Sequence, residues 1–598
     1  MTASLHYIIT PIVRRHIFQV ELRIAATDSL LQNGVELYLP NWIAGSYMIR
    51  DFARHIVCIG ATDAHGQVVT LTPVNQHTWQ SGNFVGELVV RYEVFAHDTS
   101  VRTAFLDGNG GFFNATSLCL AVRTLEMQPH HMTLNAPAEH ADWQVATTLP
   151  RFENNTSHLF GDFVAANYDE LADHPVRMGD LIWLSFEAHG IAHEVALTGP
   201  LPYLDRERLQ QDLQQICAAQ LALFEPEQPA LAPFQRYVFM VDVRAQGYGG
   251  LEHRSSTALL CERGDLPLLA HAEQPRSNAY ITFLGLCSHE YFHSWNVKRI
   301  KPAPFVQYDL TQITDTTLLW FFEGVTSYYD DLVLYRTGLI DEKQYLKKIE
   351  NAYNGVVRHD GSRAQTAHDS GFYAWTKYYQ TSANTPNAVV SYYSKGALIA
   401  LSIDLFIREH SANQHSLDDV MRDLWQRFGR DFYTLYALGQ AQGVTEADII
   451  ATVSRFAGMD AQAFFDLELH STAPLPLPAQ LATQGVLISE PKDSVAQLGA
   501  TSKKVDGGWQ IQRVLNDGAA QRASLAPDDV LLTFDRLRLN AAPDDVLGRI
   551  AISAPVTVHY LRDDVLHDTV LINAAAPQPV YGITLAEGCT SVFNKIGF

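Results

Sequence analysis

Apolar and polar positions alternate through the first part of the chain. Phe18, Val20, Leu22 and Ile24 are separated by Gln19, Glu21 and Arg23; Val35, Leu37 and Leu39 keep the same period, and Leu88, Val90, Tyr92 and Val94 continue it. A period of two places one face of a strand in a core and the other in water. With Gly, Asn and Pro punctuation between the runs, it predicts an antiparallel β-rich domain over residues 1–175. From Leu204 to Leu223 the pattern becomes helical, and Tyr237 to Val243 reads as a buried strand followed by a glycine-rich turn, Gly247 to Ser256. Further helices are predicted over Asp341 to Ala352, Ser394 to Glu409, Ser416 to Phe428 and Thr445 to Phe456. The Pro-rich stretch Ser471 to Pro478 cannot continue a helix and predicts an extended spacer at a domain boundary. Short strands follow at Gly485 to Ile488, Trp509 to Val514, Val530 to Phe534 and Val556 to Tyr560. The expectation is a multidomain α+β protein: a β-rich N-terminal domain (1–175), a central α/β and then helical region (176–472), and a C-terminal β module (483–575).

Composition narrows the function classes. At 598 residues the chain exceeds what one core organises. A formal charge of −22 disfavours nucleic acid and anionic membrane as partners, because both call for a positive surface. No uninterrupted apolar run approaches the ~20 residues of a membrane span, and Met1 to Tyr7 lacks a basic segment leading into an apolar signal core. These features predict a soluble, cytoplasmic protein. Cys58, Cys119, Cys217, Cys261, Cys287 and Cys589 are scattered without C-x-x-C spacing, which predicts reduced thiols and neither a disulfide framework nor a thiolate zinc site.

Chemistry enters at His289-Glu290-Tyr291-Phe292-His293. Residues four apart on a helix share a face, so His289 and His293 can offer two imidazoles to one metal ion. Glu290 stands beside that face, where a carboxylate can take a proton from a water the metal activates. The preceding Ala279 to Leu286 is almost wholly apolar, and burying Glu290 with two histidines there is costly unless a cation is bound. A catalytic zinc needs a third protein ligand and an open position. Glu323, inside the apolar run Leu318 to Tyr329, is the candidate for the third ligand.

Together, H-E-Y-F-H-S-W-N-V-K-R-I and W-F-F-E-G-V-T-S-Y-Y resemble the PDZ-containing glycyl aminopeptidase family, zinc peptidases that use two His and one Glu. Asn41 to Phe52 and Ala172 to Val176 look like that family's N-terminal domain. The resemblance implies a thermolysin-like catalytic region with one Zn2+ per chain held by His289, His293 and Glu323, and Glu290 as the base. It implies removal of N-terminal residues, small ones such as glycine or alanine preferred, from peptides with a free N-terminus. Gly249-Gly250-Leu251-Glu252 is similar to the G-x-x-E segment of related aminopeptidases, in which the glutamate holds the substrate's amino terminus. Tyr393-Ser394-Lys395-Gly396-Ala397 resembles the aminopeptidase N segment that supplies an oxyanion-stabilising tyrosine; this points to Tyr393, with Tyr392 as the rival. Asn516 to Leu531 looks like a PDZ signature, with Leu498-Gly499-Ala500 as its carboxylate-binding loop, although Asp528 stands where Gly is common. A peptide C-terminus is the partner such a module implies. Two other classes remain: an endopeptidase on the same scaffold, with Glu252 structural, and a non-enzymatic PDZ-type peptide-binding protein.

Overall fold

A computed structural model describes residues 4–25, 31, 33–152, 158–489, 495–577 and 579–588. The chain divides into two compact units, one of residues 1–314 and 424–444, the other of residues 315–423 and 445–597.

In the first unit the N-terminal alternation becomes structure. Phe18, Val20, Leu22 and Ile24 are buried in the Ile17–Ala25 strand, which pairs antiparallel with Ser4–Ile12 and Glu87–Phe95. The seven-stranded sheet runs in the order Gly161–Ala165, His130–Leu134, Ser4–Ile12, Ile17–Ala25, Glu87–Phe95, Ile56–Asp63, Val68–Val69. It is not wholly antiparallel as expected: Ser4–Ile12 lies parallel to His130–Leu134, with Leu5 opposite His130. Local alternation fixes which face a side chain takes but not the direction of a neighbour contributed from far along the chain. Two four-stranded sheets accompany it.

A five-stranded sheet follows in the order Leu181–Ala188, Ile191–Thr198, Arg236–Arg244, Ser256–Glu262, Gly249–Glu252. Its middle three strands are parallel to one another. Tyr237 to Val243 are all buried, as a strand covered on both faces requires. The expected glycine-rich turn is in part a strand: Gly249–Glu252 pairs antiparallel with Ser256–Glu262, and the chain reverses between them at 253–255. The Arg206–Phe224 helix and the Asn278–Phe292 helix pack on this sheet.

The second unit is helical up to its last β module. Asp341 caps the Glu342–Val357 helix by accepting from Gln344 N, and the Gln344 side chain accepts from Asp341 N in return. The Gly324–Arg336 and Tyr392–His410 helices cross at two glycines: a Cβ on Gly324 would lie 2.4 Å from Gly396 Cα. Only residues without side chains permit that approach. By length and composition the helical stretch Thr385–His410 is apolar enough to cross a membrane, and 78% of its apolar window is buried inside the protein. The Pro-rich stretch departs from the extended spacer expected of it. Leu477–Thr483 is a helix with Pro478 in its first turn, where the missing N–H costs nothing, and Leu477 and Leu481 are buried.

Beyond it a sheet of Ala500–Val505, Gly508–Val514, Val530–Phe534, Pro555–Arg562 and Val565–Ile572 encloses its own core of Ile511, Leu531, Val556, Val558 and Leu571. Asp528 has φ +72°, a left-handed conformation that Asp tolerates and Gly favours, which accounts for the departure at that position. Leu498 N–H donates to Asp544 Oδ1 at 2.7 Å, so this donor in the predicted carboxylate-binding loop is already engaged. Cys58, Cys119, Cys217, Cys261 and Cys287 are free thiols; Cys589 lies outside the described residues.

Candidate active site

The Asn278–Phe292 helix starts at Ser277, whose hydroxyl accepts from Tyr280 N at 3.1 Å. Polar anchors fix it along its length. Tyr280 OH and the Arg276 guanidinium both donate to the buried Asp212, at 2.9 and 2.6 Å, and Gln220 Nε2 donates to Ser288 O at 2.9 Å. The helix is buried on most of its circumference, so its last turn holds its side chains in a defined setting.

His289 and His293 lie one turn apart and edge to face, with ring centroids 4.6 Å apart and planes at 86°. His293 is buried, and its Nδ1 lies 2.7 Å from Asn296 O. A carbonyl only accepts, so Nδ1 carries the proton and Nε2 keeps its lone pair, the orientation that a metal ligand needs. His293 therefore fits a metal ligand in both residue type and tautomer.

Glu290 is 5% exposed. A Cβ on Gly250 would lie 2.1 Å from Glu290 Oε1, so the Glu290 carboxylate occupies space that any side chain at position 250 would fill. Gly250 was expected at the substrate; within this unit its close neighbour is Glu290. Arg102 Nη2 donates to Gly250 O at 3.0 Å and holds the strand in place.

Glu252 is 3% exposed at the end of the Gly249–Glu252 strand. One ligand atom each from Glu252, Glu290 and His293 lies within 4.8 Å of the others. Behind Glu252, Asp173 accepts from Lys298 Nζ at 3.0 Å and Arg254 Nε at 3.2 Å, with His253 Nδ1 also at 3.2 Å. Burial opposes the Asp173 charge, but Lys298, His253 and Arg254 outweigh it and hold the carboxyl well below the usual range. Burial likewise opposes the Lys298 charge, and Asp173 and Glu252 raise it in spite of that. Lys298 Nζ stands 3.9 Å from Glu252 Oε1, outside hydrogen-bond range. Among the described residues, Glu252 Oε1 is buried without a hydrogen-bond partner. Lys298 and Asp173 were not singled out from the sequence. The signal available was a Lys-Arg pair just after the second histidine and an Asp in Ala172 to Val176, both inside stretches that matched the family.

In the second unit Glu323 is buried at the junction of the Leu319–Phe322 and Gly324–Arg336 helices. Tyr393 is half-buried in the first turn of Tyr392–His410, whereas Tyr392 is fully buried. Burial raises the Tyr393 phenol well above its ordinary value, and the Glu323 carboxylate adds to the rise. The phenol is thus held as a proton donor. Gly249, the remaining predicted substrate contact, lines the same strand as Glu252 and pairs with Leu260.

Residues 6–180 match the peptidase M61 N-terminal domain, and residues 282–399 match the M61 glycyl aminopeptidase. Among solved structures, the chain is similar to an aminopeptidase N family protein from Idiomarina loihiensis, at 39% identity over 98% of each chain with a TM-score of 0.91. An M1 zinc metallopeptidase from Deinococcus radiodurans is 11% identical over 80% of this chain and 95% of that one, with a TM-score of 0.44. No curated protein matches. With both M61 patterns matched in order and near full-length likeness to the Idiomarina protein, the chain belongs to the M61 glycyl aminopeptidase family of peptidases.

Proposed function

We propose that this protein is a zinc-dependent aminopeptidase that removes small N-terminal residues, glycine or alanine above all, from peptides. The observation that carries the reading is Glu252: a buried carboxylate with an unsatisfied oxygen, beside Glu290 and His293. Leaving such an oxygen without a hydrogen bond is costly, and a substrate ammonium is a donor that would satisfy it. His289, His293 and Glu323 would hold one zinc per chain. Zinc, when bound, supplies Lewis acidity that polarises the scissile carbonyl and makes a water more acidic.

Glu252 fixes the register by pairing with the terminal ammonium, so that the first peptide bond is the one presented. Glu290 accepts the proton of the attacking water at its carboxylate and passes it to the leaving nitrogen. Tyr393 donates its phenolic hydrogen to the developing oxyanion. A cavity of about 20 Å3 beside Glu252, walled by Gly45, Tyr47, Phe305 and Tyr308, has room for about one water. The preference for a small first residue rests on the likeness to the M61 glycyl aminopeptidase. We read residues 1–175, 176–472 and 483–575 as the N-terminal, catalytic and PDZ-like domains, the last a site for a peptide C-terminus.

The test compares kcat/KM for free and N-acetylated versions of one glycyl peptide in wild type and Glu252→Gln, with zinc content measured alongside. The free form should lose most of its advantage in the variant at unchanged zinc. An advantage that survives the substitution would assign the amino terminus to another group, and equal cleavage of both forms by wild type would favour an endopeptidase.

A further inference from the structure

The parallel strands Ile191–Thr198, Arg236–Arg244 and Ser256–Glu262 end on one side of their sheet. In parallel sheets, ligands lodge in the crevice beyond the carboxyl ends of the strands. A cavity of about 280 Å3 lies there, against the ~30 Å3 that one water occupies in the liquid. Arginines reach it from three elements: Arg244 at the end of the middle strand, Arg263 just past the third, and Arg177 from the Val176–Gly179 strand.

The acids lining it are Asp107 and Asp242, so three positive charges face two negative ones. Asp107 is engaged with its own turn, accepting from Asn109 N at 2.7 Å and Gly110 N at 3.2 Å. Asp242 accepts from Arg244 Nε at 2.9 Å and the Thr198 hydroxyl at 3.0 Å. Its distance to Arg177 Nη1 is 3.7 Å, too long for a hydrogen bond.

Arg177 is therefore anomalous. It is 4% exposed and stacked on Phe112 at 4.8 Å, and its Nε is buried with no partner among the described residues. A guanidinium carries five donors, and burial works against its charge. Among the described residues Asp242 is the acid paired with it, and a further anion at the guanidinium would offset the cost of burying its charge. Arg244, held over Phe105 at 4.5 Å, pairs with the same Asp242 oxygen that Arg177 approaches.

We infer that this crevice binds a small oxyanion, a phosphate or a carboxylate, drawn by the excess positive charge of Arg177, Arg244 and Arg263, with Arg263 at its exposed rim. A guanidinium fork can pair with the two oxygens that both anions share. The site is built by the first unit alone and is independent of the peptidase reading.

The experiment is calorimetric titration of the full-length zinc-loaded protein at constant ionic strength. The probes are inorganic phosphate and, in a second arm, acetylglycine, a carboxylate whose blocked amine cannot use Glu252. Saturable one-to-one binding of at least one probe is expected. It should weaken about tenfold or more in Arg263→Ala or Arg244→Gln, on the scale of one charge-assisted hydrogen bond. Phosphate alone would identify an inorganic or phosphoryl ligand, and acetylglycine a peptide or amino-acid carboxylate. Arg263 is exposed, so its variant should fold, which thermal melting checks. No saturable binding, or affinities unchanged in both variants, as binding at the metal would give, would overturn the inference.

Discussion

Gly250 is the position where one added atom should tell most. Its missing Cβ leaves room for Glu290 Oε1, which would otherwise be 2.1 Å away. Gly250→Ala should displace the base without touching either histidine, so zinc content should stay near wild type while kcat falls on the order of 10²-fold. Wild-type turnover in the variant would mean that Glu290 works from elsewhere. The tyrosine pair supplies a second test. Tyr393→Phe should lower kcat on the order of 10²-fold through the loss of one oxyanion donor, and Tyr392→Phe, altering a fully buried ring, should not. The reverse result would shift the role by one position. At this scale the sequence was informative wherever chemistry is local: the spacing of His289, Glu290 and His293 is itself the geometry of one helical turn. Lys298 and Asp173 were opaque because their 3.0 Å contact joins residues 125 positions apart, and no periodicity reports such a pair.

Helices in the second unit meet through a buried polar cluster. Glu468 of Gln462–His470 accepts from the Ser402 hydroxyl of Tyr392–His410 at 2.9 Å, and that serine also lies 2.8 Å from Gln480 Oε1 of Leu477–Thr483. Burial raises the Glu468 carboxyl to about 7, against the opposing pull of Ser402 and Lys395. The folded state therefore binds this proton more tightly than the unfolded chain. Its contribution to stability is present below the ordinary glutamate value and is lost as pH rises through about 7. Urea denaturation of wild type and Glu468→Gln from pH 4.5 to 8 should show wild type losing ground steadily across that window; a constant difference would place the titration elsewhere. Elements themselves were largely legible. Asp341 announces a helix start by its cap, and seven consecutive buried positions from Tyr237 announce a covered strand. What escaped was partnership: the parallel neighbour of Ser4–Ile12, and a helix beginning inside a Pro-rich stretch because proline is harmless in a first turn.

For the whole molecule, the decisive fact is that the first unit is not one continuous segment: residues 424–444 belong to it after 315–423 have built part of the other. Nothing in the hydropathy of 424–444 marks that return. The segment supplies partners that nothing earlier replaces. Trp425 Nε1 donates to the buried Glu225 at 2.7 Å, Arg430 pairs with the same carboxylate, and Tyr433 OH donates to Lys298 O at 2.9 Å while its ring lies under Arg254 at 4.0 Å. Stripping a buried carboxylate of its partners costs several kcal/mol, on the order of 3–5. A fragment of residues 1–314 should accordingly show no cooperative transition by scanning calorimetry, and a melting point equal to that of the intact unit would show that the segment is dispensable. The same detour has a bearing on synthesis, since a ribosome delivers the chain from its N-terminus. His289, Glu290 and Glu252 emerge long before Tyr433, yet the Lys298 and Arg254 framework around Glu252 is not closed until that tyrosine arrives. A nascent or prematurely ended chain therefore lacks that closure until most of the protein has been made.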